Sequence, residues 1–249
     1  MPDSAPRHRL HVTAGLGPGL TVDLDKAQAH YLGNVLRLPA GAEVGLFNGR
    51  DGEWRGRIAS LAKARGSVTL EDQLRPQVPE PDLWLCFAPI KRARIDLVAE
   101  KASELGASVL QPIFTRRTIV TRVNGERLRA NALEAAEQCE RLTVPEVREP
   151  VALDRLLAAW PADRRLLLCD ESGTARPAAD ALAQPTPGPW AVMIGPEGGF
   201  APGTFAALRR LPGLLAVSLG PRLLRADTAA IAALTLWQAW LGDWRKGPG

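Results

Sequence analysis

The sequence predicts an α/β protein in two parts, a small β-rich unit over residues 1–74 and a parallel α/β unit over residues 83–249. Short apolar and β-branched runs separated by glycine turns fill the first part. In the second part apolar runs alternate with helical patterns, which is typical of a parallel sheet. Between the two parts, the segment LRPQVPEPD contains three prolines and no apolar periodicity. We therefore expect a linker over residues 75–82.

The composition suits a packed protein of 249 residues, because 46% of the chain is hydrophobic. No run approaches about 18 uninterrupted apolar residues, and the first ten residues are polar. These features predict no membrane span, no signal peptide and a cytoplasmic location. The three cysteines and three histidines lack metal-binding spacing, so we predict buried reduced thiols and no metal site.

The net charge of +4 and the pI near 9.3 come mainly from arginine. The guanidinium fork suits phosphate, so nucleic acid is a reasonable partner, although genome composition alone also produces arginine-rich chains.

The first part reads as five short strands at residues 11–13, 19–22, 43–48, 53–60 and 67–70. One helix is expected over residues 25–35, with Asp25 as its N-cap and Ala29, Leu32 and Leu36 on its buried side. Compact β-barrels with exposed arginines bind RNA through backbone contacts and stacking. The candidates for that surface, each of which is equally well an ordinary solvated side chain, are Arg7, Arg9, Arg37, Arg50, Arg55 and Arg57.

In the second part the apolar runs predict strands at residues 83–89, 108–114, 166–169, 190–194 and 214–219. The helical patterns between and after them predict helices over residues 92–105, 127–141, 151–160, 204–211 and 227–244. Gly106 stands at the usual stop position of the first of these helices. The last helix is apolar nearly all round, which indicates burial inside the domain or against another subunit.

Two glycine-bearing stretches follow successive predicted strands. Residues 194–200 (IGPEGGF) form a sharp turn in which backbone can approach a ligand closely. The stretch is neither a P-loop nor a Gly-x-Gly-x-x-Gly motif, and taken alone it is equally well a structural turn. Residues 219–229 (LGPRLLRADTA) pass from a strand through a basic loop into a helix. The two loops, with the one after residue 169 (DESG), predict neighbouring walls of one pocket.

These loops offer mainly backbone groups and apolar side chains, which suit a flat uncharged ring such as adenine. Glu197 either receives an amino-bearing part of a ligand or caps its turn. Arg222 and Arg225 can hold phosphate or orient a nucleobase, and Asp227 or Thr228 reads as a helix N-cap. No Ser/His/Asp set is present, because the histidines lie in the other part of the chain.

The two stretches together resemble the SPOUT class of methyltransferases, and within it the bacterial family that methylates N3 of a uridine in 16S ribosomal RNA. Residues 31–37 with Gly41, residues 91–94 with 101–106, and residues 134–145 agree with that family in the same order. Ala226-Asp227 departs from the family's Thr-Glu, which shortens the acidic side chain by one methylene.

The resemblance implies a PUA-like β-barrel for RNA followed by a SPOUT α/β domain with a trefoil knot. It also implies the small ribosomal subunit with its 16S rRNA as substrate, and a homodimer packed through the final helix. The cofactor would be S-adenosylmethionine, gripped by residues of the knotted loops: Leu168, Ile194, Gly195, Glu197, Gly198, Gly199, Leu219, Gly220, Leu224 and Thr228. Lys91, Arg92 and Arg222 would join the RNA contacts.

For the reaction that the resemblance implies, methyl transfer to a uracil imide needs positioning and stabilisation of charge on the base oxygens. Arg225 is the first candidate for this role. Arg94 is the second, and it would act from the side on which RNA binds. The proton acceptor is solvent, or Asp227 through a water. The alternatives are a non-catalytic RNA-binding assembly factor of the same fold and another α/β nucleotide enzyme such as a dehydrogenase, which would need a glycine fingerprint after the strand at residues 83–89.

Overall fold

The computed structural model describes residues 6–170, 174–184 and 188–246. Internal contacts divide the chain into two compact units. The first comprises Met1–Pro79 with Ala136–Val144, and the second comprises Glu80–Ala135 with Pro145–Gly249. The change from Pro79 to Glu80 lies within the stretch expected to be a linker. The return of residues 136–144 to the first unit has no counterpart in the division predicted from the sequence, whose domain limits stay a prediction.

The first unit contains a five-stranded sheet among its described residues, with the strand order β1-β3-β4-β5-β2. β1 pairs with β3 in parallel, and the other pairs are antiparallel. One face of the sheet covers a core that includes Leu32, Leu46 and Val68, since alternate side chains of a strand face opposite sides. The strands are β1 (Arg9–His11), β2 (Thr21–Leu24), β3 (Glu43–Phe47), β4 (Glu53–Ala62) and β5 (Arg65–Arg75).

The helix of the first unit has two kinds of turn. It begins as α1 (Lys26–His30), and the prediction that Asp25 caps it is confirmed, because the Asp25 side chain accepts from the Gln28 amide and Gln28 bonds back to Asp25. The chain then widens into a π-helical turn, Tyr31–Val35, which is called the π-turn below. The sequence pattern predicts the extent of this helix but not its widening.

Arg9 belongs to the interior of the first unit. Its Nε lies 2.6 Å from Glu53 Oε1, and its Nη2 donates to the Arg141 carbonyl at 2.8 Å. The guanidinium also stacks over the Phe47 ring, at 4.4 Å from the centroid. These contacts hold residues 136–144 against the sheet of their own unit. The prediction that Arg9 contacts RNA is therefore wrong, because its side chain is buried and its donors are used inside the unit.

The second unit is built on a parallel sheet, as the alternation of strands and helices predicts. Every pairing among its described strands is parallel, in the order β11-β13-β10-β12-β6-β7-β8, with β9 paired to β7. The strands are β6 (Leu83–Phe87), β7 (Val109–Phe114), β8 (Glu146–Val147), β9 (Val151–Ala152), β10 (Arg165–Cys169), β11 (Arg176–Pro177), β12 (Trp190–Ile194) and β13 (Leu214–Ser218).

Helices cover both faces of this sheet, so the central strands β6 and β12 are buried throughout. The helices are α2 (Arg92–Glu104), α3 (Gly125–Gln138), α4 (Leu153–Ala158), α5 (Ala178–Ala181), α6 (Pro202–Leu208) and α7 (Ala226–Leu241), followed by a 3₁₀ turn, Asp243–Lys246. α2 and α7 pack against each other on one face.

The helix limits differ from the predicted ones for local reasons. The helix predicted over residues 151–160 loses its first two residues to β9. α3 begins earlier than predicted, because Asn124 accepts the Arg127 amide at 3.0 Å and starts the first turn. α6 begins at Pro202, a residue that suits the first helical position. α7 ends at Leu241, three residues before the predicted end.

Candidate active site at the carboxyl edge of the parallel sheet

Three adjacent strands, β13, β10 and β12, end at the same edge of the second sheet. Leu168 near the end of β10 pairs with Met193 on one side and with Ala216 on the other. The loops that follow these strands therefore start side by side. Open α/β sheets bind small molecules at this edge, where backbone groups beyond the strand ends are free for a ligand.

The loop after β12 is a tight turn over residues 195–200, called the glycine turn below. The Gly199 amide donates to the Pro196 carbonyl at 2.8 Å, and Gly199 has a φ of +68°, which favours glycine. A Cβ placed on Gly195 would lie 2.9 Å from Cε2 of the Phe200 ring. Glycine is thus required at both positions, at the first by a close contact and at the second by the backbone conformation.

The exposed part of the glycine turn comprises Glu197 and Gly198, whereas Ile194 is buried at the end of β12. Glu197 forms no hydrogen bond with another described residue, so the reading of this side chain as a cap of its own turn has no support in the structure. The carboxylate stays available to a ligand.

The loop after β13, residues 219–225, is called the basic loop below. Gly220 has a φ of +112°, and a Cβ at this position would meet nothing within 4 Å. Leu219 and Leu224 are half-buried, whereas Arg222 and Arg225 are exposed. The loop thus combines open backbone at its start with two cationic side chains further along.

The loop after β10 contributes less side-chain surface. Leu168 is completely buried in the core, so any ligand contact near it has to come from the strand end rather than from its side chain. Asp170 is buried, and its amide donates to the Val217 carbonyl of β13 at 2.8 Å. Residues 171–173 of this predicted loop lie outside the described part of the chain.

The start of α7 differs from the prediction. Its N-cap is Arg225, and Asp227 is the second residue of the helix, so the reading of Asp227 or Thr228 as the N-cap is wrong. Asp227 is buried, and both of its carboxylate oxygens accept from Nη1 of Arg94, at 2.9 and 3.1 Å. Thr228 is exposed on the first turn. The pair joins the first turns of α2 and α7 directly beside the basic loop.

We expect Arg94→Ala to lower the free energy of unfolding by about 1–2 kcal/mol, because the substitution leaves a buried carboxylate without its cation. Arg94 is about one-third exposed, which keeps the loss below that of a fully buried pair. Chemical denaturation of Arg94→Ala, Asp227→Asn and the double variant measures the coupling between the two side chains. Lys91→Ala, an exposed cation just before α2, serves as the control. Strictly additive losses would contradict the pairing.

Arg117 is not among the predicted site residues, and the structure brings it to the glycine turn. Its Nη1 donates to the Gly198 carbonyl at 2.8 Å, across 81 positions of the chain. The loop after β7 that carries it is itself braced, because the Arg117 amide lies 3.3 Å from Thr115 Oγ1 and the Thr115 amide donates to Thr118 Oγ1 at 2.9 Å. A pair of arginines directly after a strand was the only signal for it, and such pairs are common on surfaces.

The remaining candidates are scattered over exposed positions. Lys91 is exposed at the N-cap of α2, and the side chain of Arg92 lies outside the described part of the structure. In the first unit Arg7 and Arg37 are exposed, whereas Arg55 and Arg57 form ion pairs with acidic residues of their own sheet.

Neither a metal nor a cysteine nucleophile is indicated at this edge. Within the described residues, no cluster of three or more His, Cys, Asp or Glu side chains has the arrangement of a metal site. Burial raises the pKa of Cys169, at the end of β10, to about 12, and it does the same for Cys86 in β6. Both thiols are therefore protonated at neutral pH. No helix in the described chain is long and apolar enough to span a bilayer.

Two family models match this chain. A family model described as an RNA methyltransferase domain matches residues 78–238, and one described as an RNA methyltransferase PUA domain matches residues 24–71. The ribosomal RNA small subunit methyltransferase E of Rickettsia conorii is 31% identical, over 91% of this chain and 93% of that protein. The protein of the same name from Synechocystis is 32% identical, over 89% of this chain and 74% of its own length.

Solved structures show the same fold. A ribosomal RNA small subunit methyltransferase E from Neisseria gonorrhoeae, bound to S-adenosyl methionine, superposes with a TM-score of 0.83 at 28% identity, covering 95% of this chain and 99% of that one. Lpg2936 from Legionella pneumophila, solved with bound SAM, has a TM-score of 0.83 at 31% identity, with 94% and 98% of the two chains covered.

Proposed function

This chain belongs to the family of ribosomal RNA small subunit methyltransferases E, and from that premise we propose that it methylates N3 of one uridine in 16S rRNA with S-adenosylmethionine as methyl donor. The observation that carries the proposal is the position of the glycine turn and the basic loop at one edge of the sheet, with only β10 between their strands. The first offers open backbone for a nucleoside, and the second offers Arg225 for the base.

The residues present at this edge fit the cofactor. Gly198 and Gly220 carry no Cβ and are exposed, so an adenine ring can approach the Gly198 amide and the backbone of Gly220 closely, and Leu219 and Leu224 supply half-buried apolar walls. Ile194 and Leu168 hold the ends of their strands in place, and Gly195 and Gly199 shape the turn. Glu197 attracts the amino group of the methionine part, and Thr228 closes the site from α7. A trefoil knot formed by the three loops would hold these groups together.

When bound, S-adenosylmethionine supplies a methyl group whose bond to sulfur breaks, with the electron pair staying on sulfur, as its bond to N3 forms. Uracil N3 is a weakly acidic imide, and its proton leaves to solvent. The guanidinium of Arg225 stabilises the negative charge that develops on the base oxygens. Asp227 does not take the proton, because its carboxylate is occupied by Arg94. Arg94 holds the first turn of α7 through its contact with Asp227 and so positions Arg225, which directly precedes that turn. Arg94 acts from the side of the site on which RNA binds.

The first unit serves RNA binding as a PUA-like barrel, with Arg7 and Arg37 as its cationic contacts. In the second unit Lys91, Arg92 and Arg222 contact phosphates. The target base has to be unpaired or extruded, because N3 is occupied in a Watson–Crick pair. The small ribosomal subunit is the substrate, and the cytoplasm is the compartment in which the protein meets it.

Two copies of the chain associate through the second unit. α7 is apolar over most of its length, and Trp240 and Trp244 near its end are exposed, at 38% and 52%. Aromatic side chains are enriched at protein–protein interfaces relative to the rest of the surface. Sedimentation of the wild type and of Trp240→Asp would reveal this dimer as a change in mass.

The test of the function is methyl transfer from labelled S-adenosylmethionine to small ribosomal subunits that lack the modification. N3-methyluridine at a single site, identified by mass and chromatography, is the expected product. Cofactor binding without transfer to this subunit would refute the proposed substrate. Absence of both binding and transfer would favour a non-catalytic RNA-binding assembly factor.

We expect Arg117→Ala to weaken binding of S-adenosylmethionine about tenfold, because the Gly198 carbonyl loses the charged donor that holds the exposed part of the glycine turn. Calorimetric titration of the free protein measures this loss. Arg116→Ala removes an equally exposed cation from the same loop, and we expect it to leave the affinity unchanged. Equal affinities of the two variants would show that Arg117 does not position the turn.

A further inference from the structure

The π-turn of the first unit presents apolar side chains to solvent. The Leu36 amide donates to the Tyr31 carbonyl at 2.9 Å, and the Leu38 amide donates to the Leu32 carbonyl at the same distance. Leu32 is fully buried, and Leu36 packs against the same core. The inner side of the turn is therefore held to the core by Leu32 and Leu36. On its outer side, Tyr31 and Val35 are 39% and 58% exposed.

The chain leaves the π-turn through a residue in an unfavourable backbone conformation. Arg37 has a φ of +55°, a region that side chains other than those of glycine and asparagine rarely adopt. Its own side chain is exposed and forms no ion pair with any described residue, so nothing in the interior requires arginine here. π-helical turns and left-handed non-glycine residues both cluster at functional sites. Both features occur here within residues 31–37.

The π-turn lies in a segment that carries no carboxylate. The sequence contains no acidic residue between Asp25 and Glu43, and the cations Lys26 and Arg37 within that segment are both exposed. Several other arginine side chains of the same unit are paired with carboxylates, as Arg57 is with Glu43 and Glu71. An exposed cation on the same segment as an exposed aromatic ring is a combination that suits a single-stranded nucleic acid.

We propose that the outer side of the π-turn, formed by Tyr31, Asn34, Val35 and Arg37, binds an unpaired nucleotide of the RNA substrate. The base stacks on the Tyr31 ring and against Val35, and the Arg37 guanidinium holds the adjacent phosphate. Asn34, which is also exposed, has both a donor and an acceptor for the edge of a base. This inference rests on the proposed function, because it supposes an RNA substrate.

RNA fits this surface better than a protein partner does. The apolar part consists of one aromatic ring and one valine, which is too small for the core of a stable protein interface. Stacking on a single ring together with a cation is sufficient for one nucleotide of a strand. The left-handed conformation of Arg37 fixes the direction in which its Cβ leaves the backbone.

The test measures binding of a fluorescein-labelled oligouridine, and of small ribosomal subunits lacking the methyl group, to the full chain. Removing a stacking ring costs about 1–3 kcal/mol per base, so we expect Tyr31→Ala to weaken binding about tenfold. Tyr31→Phe keeps the ring and should bind as the wild type does. Lys63→Ala removes an exposed cation from the β4–β5 turn of the same unit and should have little effect.

Arg37→Gly gives a second, independent test, in which stability and RNA affinity are expected to change in opposite directions. Glycine adopts positive φ without strain, so we expect this variant to unfold at a higher temperature than the wild type while it binds RNA several-fold more weakly. A residue with only a structural role would not raise stability and lower affinity in this way.

Unchanged RNA affinity in both Tyr31→Ala and Arg37→Gly, with wild-type protein binding the same RNA, would overturn the inference and leave a protein contact as the use of this surface. Failure of the wild type to bind either RNA would overturn it as well. A wild type that binds RNA but transfers no methyl group would refute the proposed function alone, so the two failures are distinguishable.

Discussion

Replacing Gly195 with valine is expected to weaken binding of S-adenosylmethionine at least about 100-fold, which corresponds to about 2.7 kcal/mol. The Cβ alone would lie 2.9 Å from Cε2 of the Phe200 ring, and 3.2 Å from two further ring atoms. Phe200 is partly buried against the core on its side of the sheet, so moving the ring loses packing. We expect the backbone of the glycine turn to shift as well, and its exposed carbonyl and amide groups to move with it. Isothermal titration of the free protein measures the loss.

Steric conflict with Phe200 can be separated from general damage by a second pair of variants. Gly195→Ala introduces the same Cβ in its smallest form, and the double variant Gly195→Ala with Phe200→Leu removes part of the opposing ring. Recovery of affinity in the double variant is expected if the clash is the cause. Gly15→Ala adds a Cβ where nothing lies within 4 Å and controls for the substitution itself. Wild-type affinity in Gly195→Val would exclude the glycine turn from the cofactor site.

The sequence predicts those parts of this molecule that depend on local pattern. Gly195 follows the buried strand β12 and Gly220 follows the partly buried strand β13, and periodicity alone predicts the parallel sheet that brings these strands to one edge. The Asp25 cap is equally local, because the acceptor and donor are three residues apart. Such features depend on residues that lie only a few positions apart in the chain.

The misses among the predicted site residues share another property, namely that the partner is distant in sequence. Arg9 and Arg37 look alike in the sequence, yet one stacks on Phe47 inside the unit and the other is exposed. Arg117 reaches Gly198, and Asp227 meets Arg94 across 133 positions. Tertiary packing decides which arginine side chains bond inside the fold and which stay exposed to a ligand. Composition and motif spacing do not contain that information.

Arg225→Ala is expected to lower kcat for methyl transfer about 10²–10³-fold, with little change in S-adenosylmethionine binding or in the unfolding temperature. Arg225 is exposed at the N-cap of α7, and its side chain makes no capping hydrogen bond there, so the fold loses little when it is removed. The pocket instead loses the cation that stabilises negative charge on the base. Single-turnover transfer to unmethylated small subunits measures the chemical step directly.

The pH dependence of that step distinguishes charge stabilisation from simple docking of RNA. A guanidinium beside the imide lowers the pKa of uracil N3, so its loss should shift the rise of rate with pH to higher pH in Arg225→Ala. Arg225→Lys keeps a point charge without the planar fork. We expect the pH at which its rate rises to lie between the values for the wild type and for Arg225→Ala. Arg222→Ala, an exposed arginine of the same loop, should raise KM for the subunit and leave kcat and the pH profile unchanged. Equal kcat in Arg225→Ala and the wild type would instead assign the cation to RNA binding, because a group that only holds phosphate affects the ground state and the transition state alike.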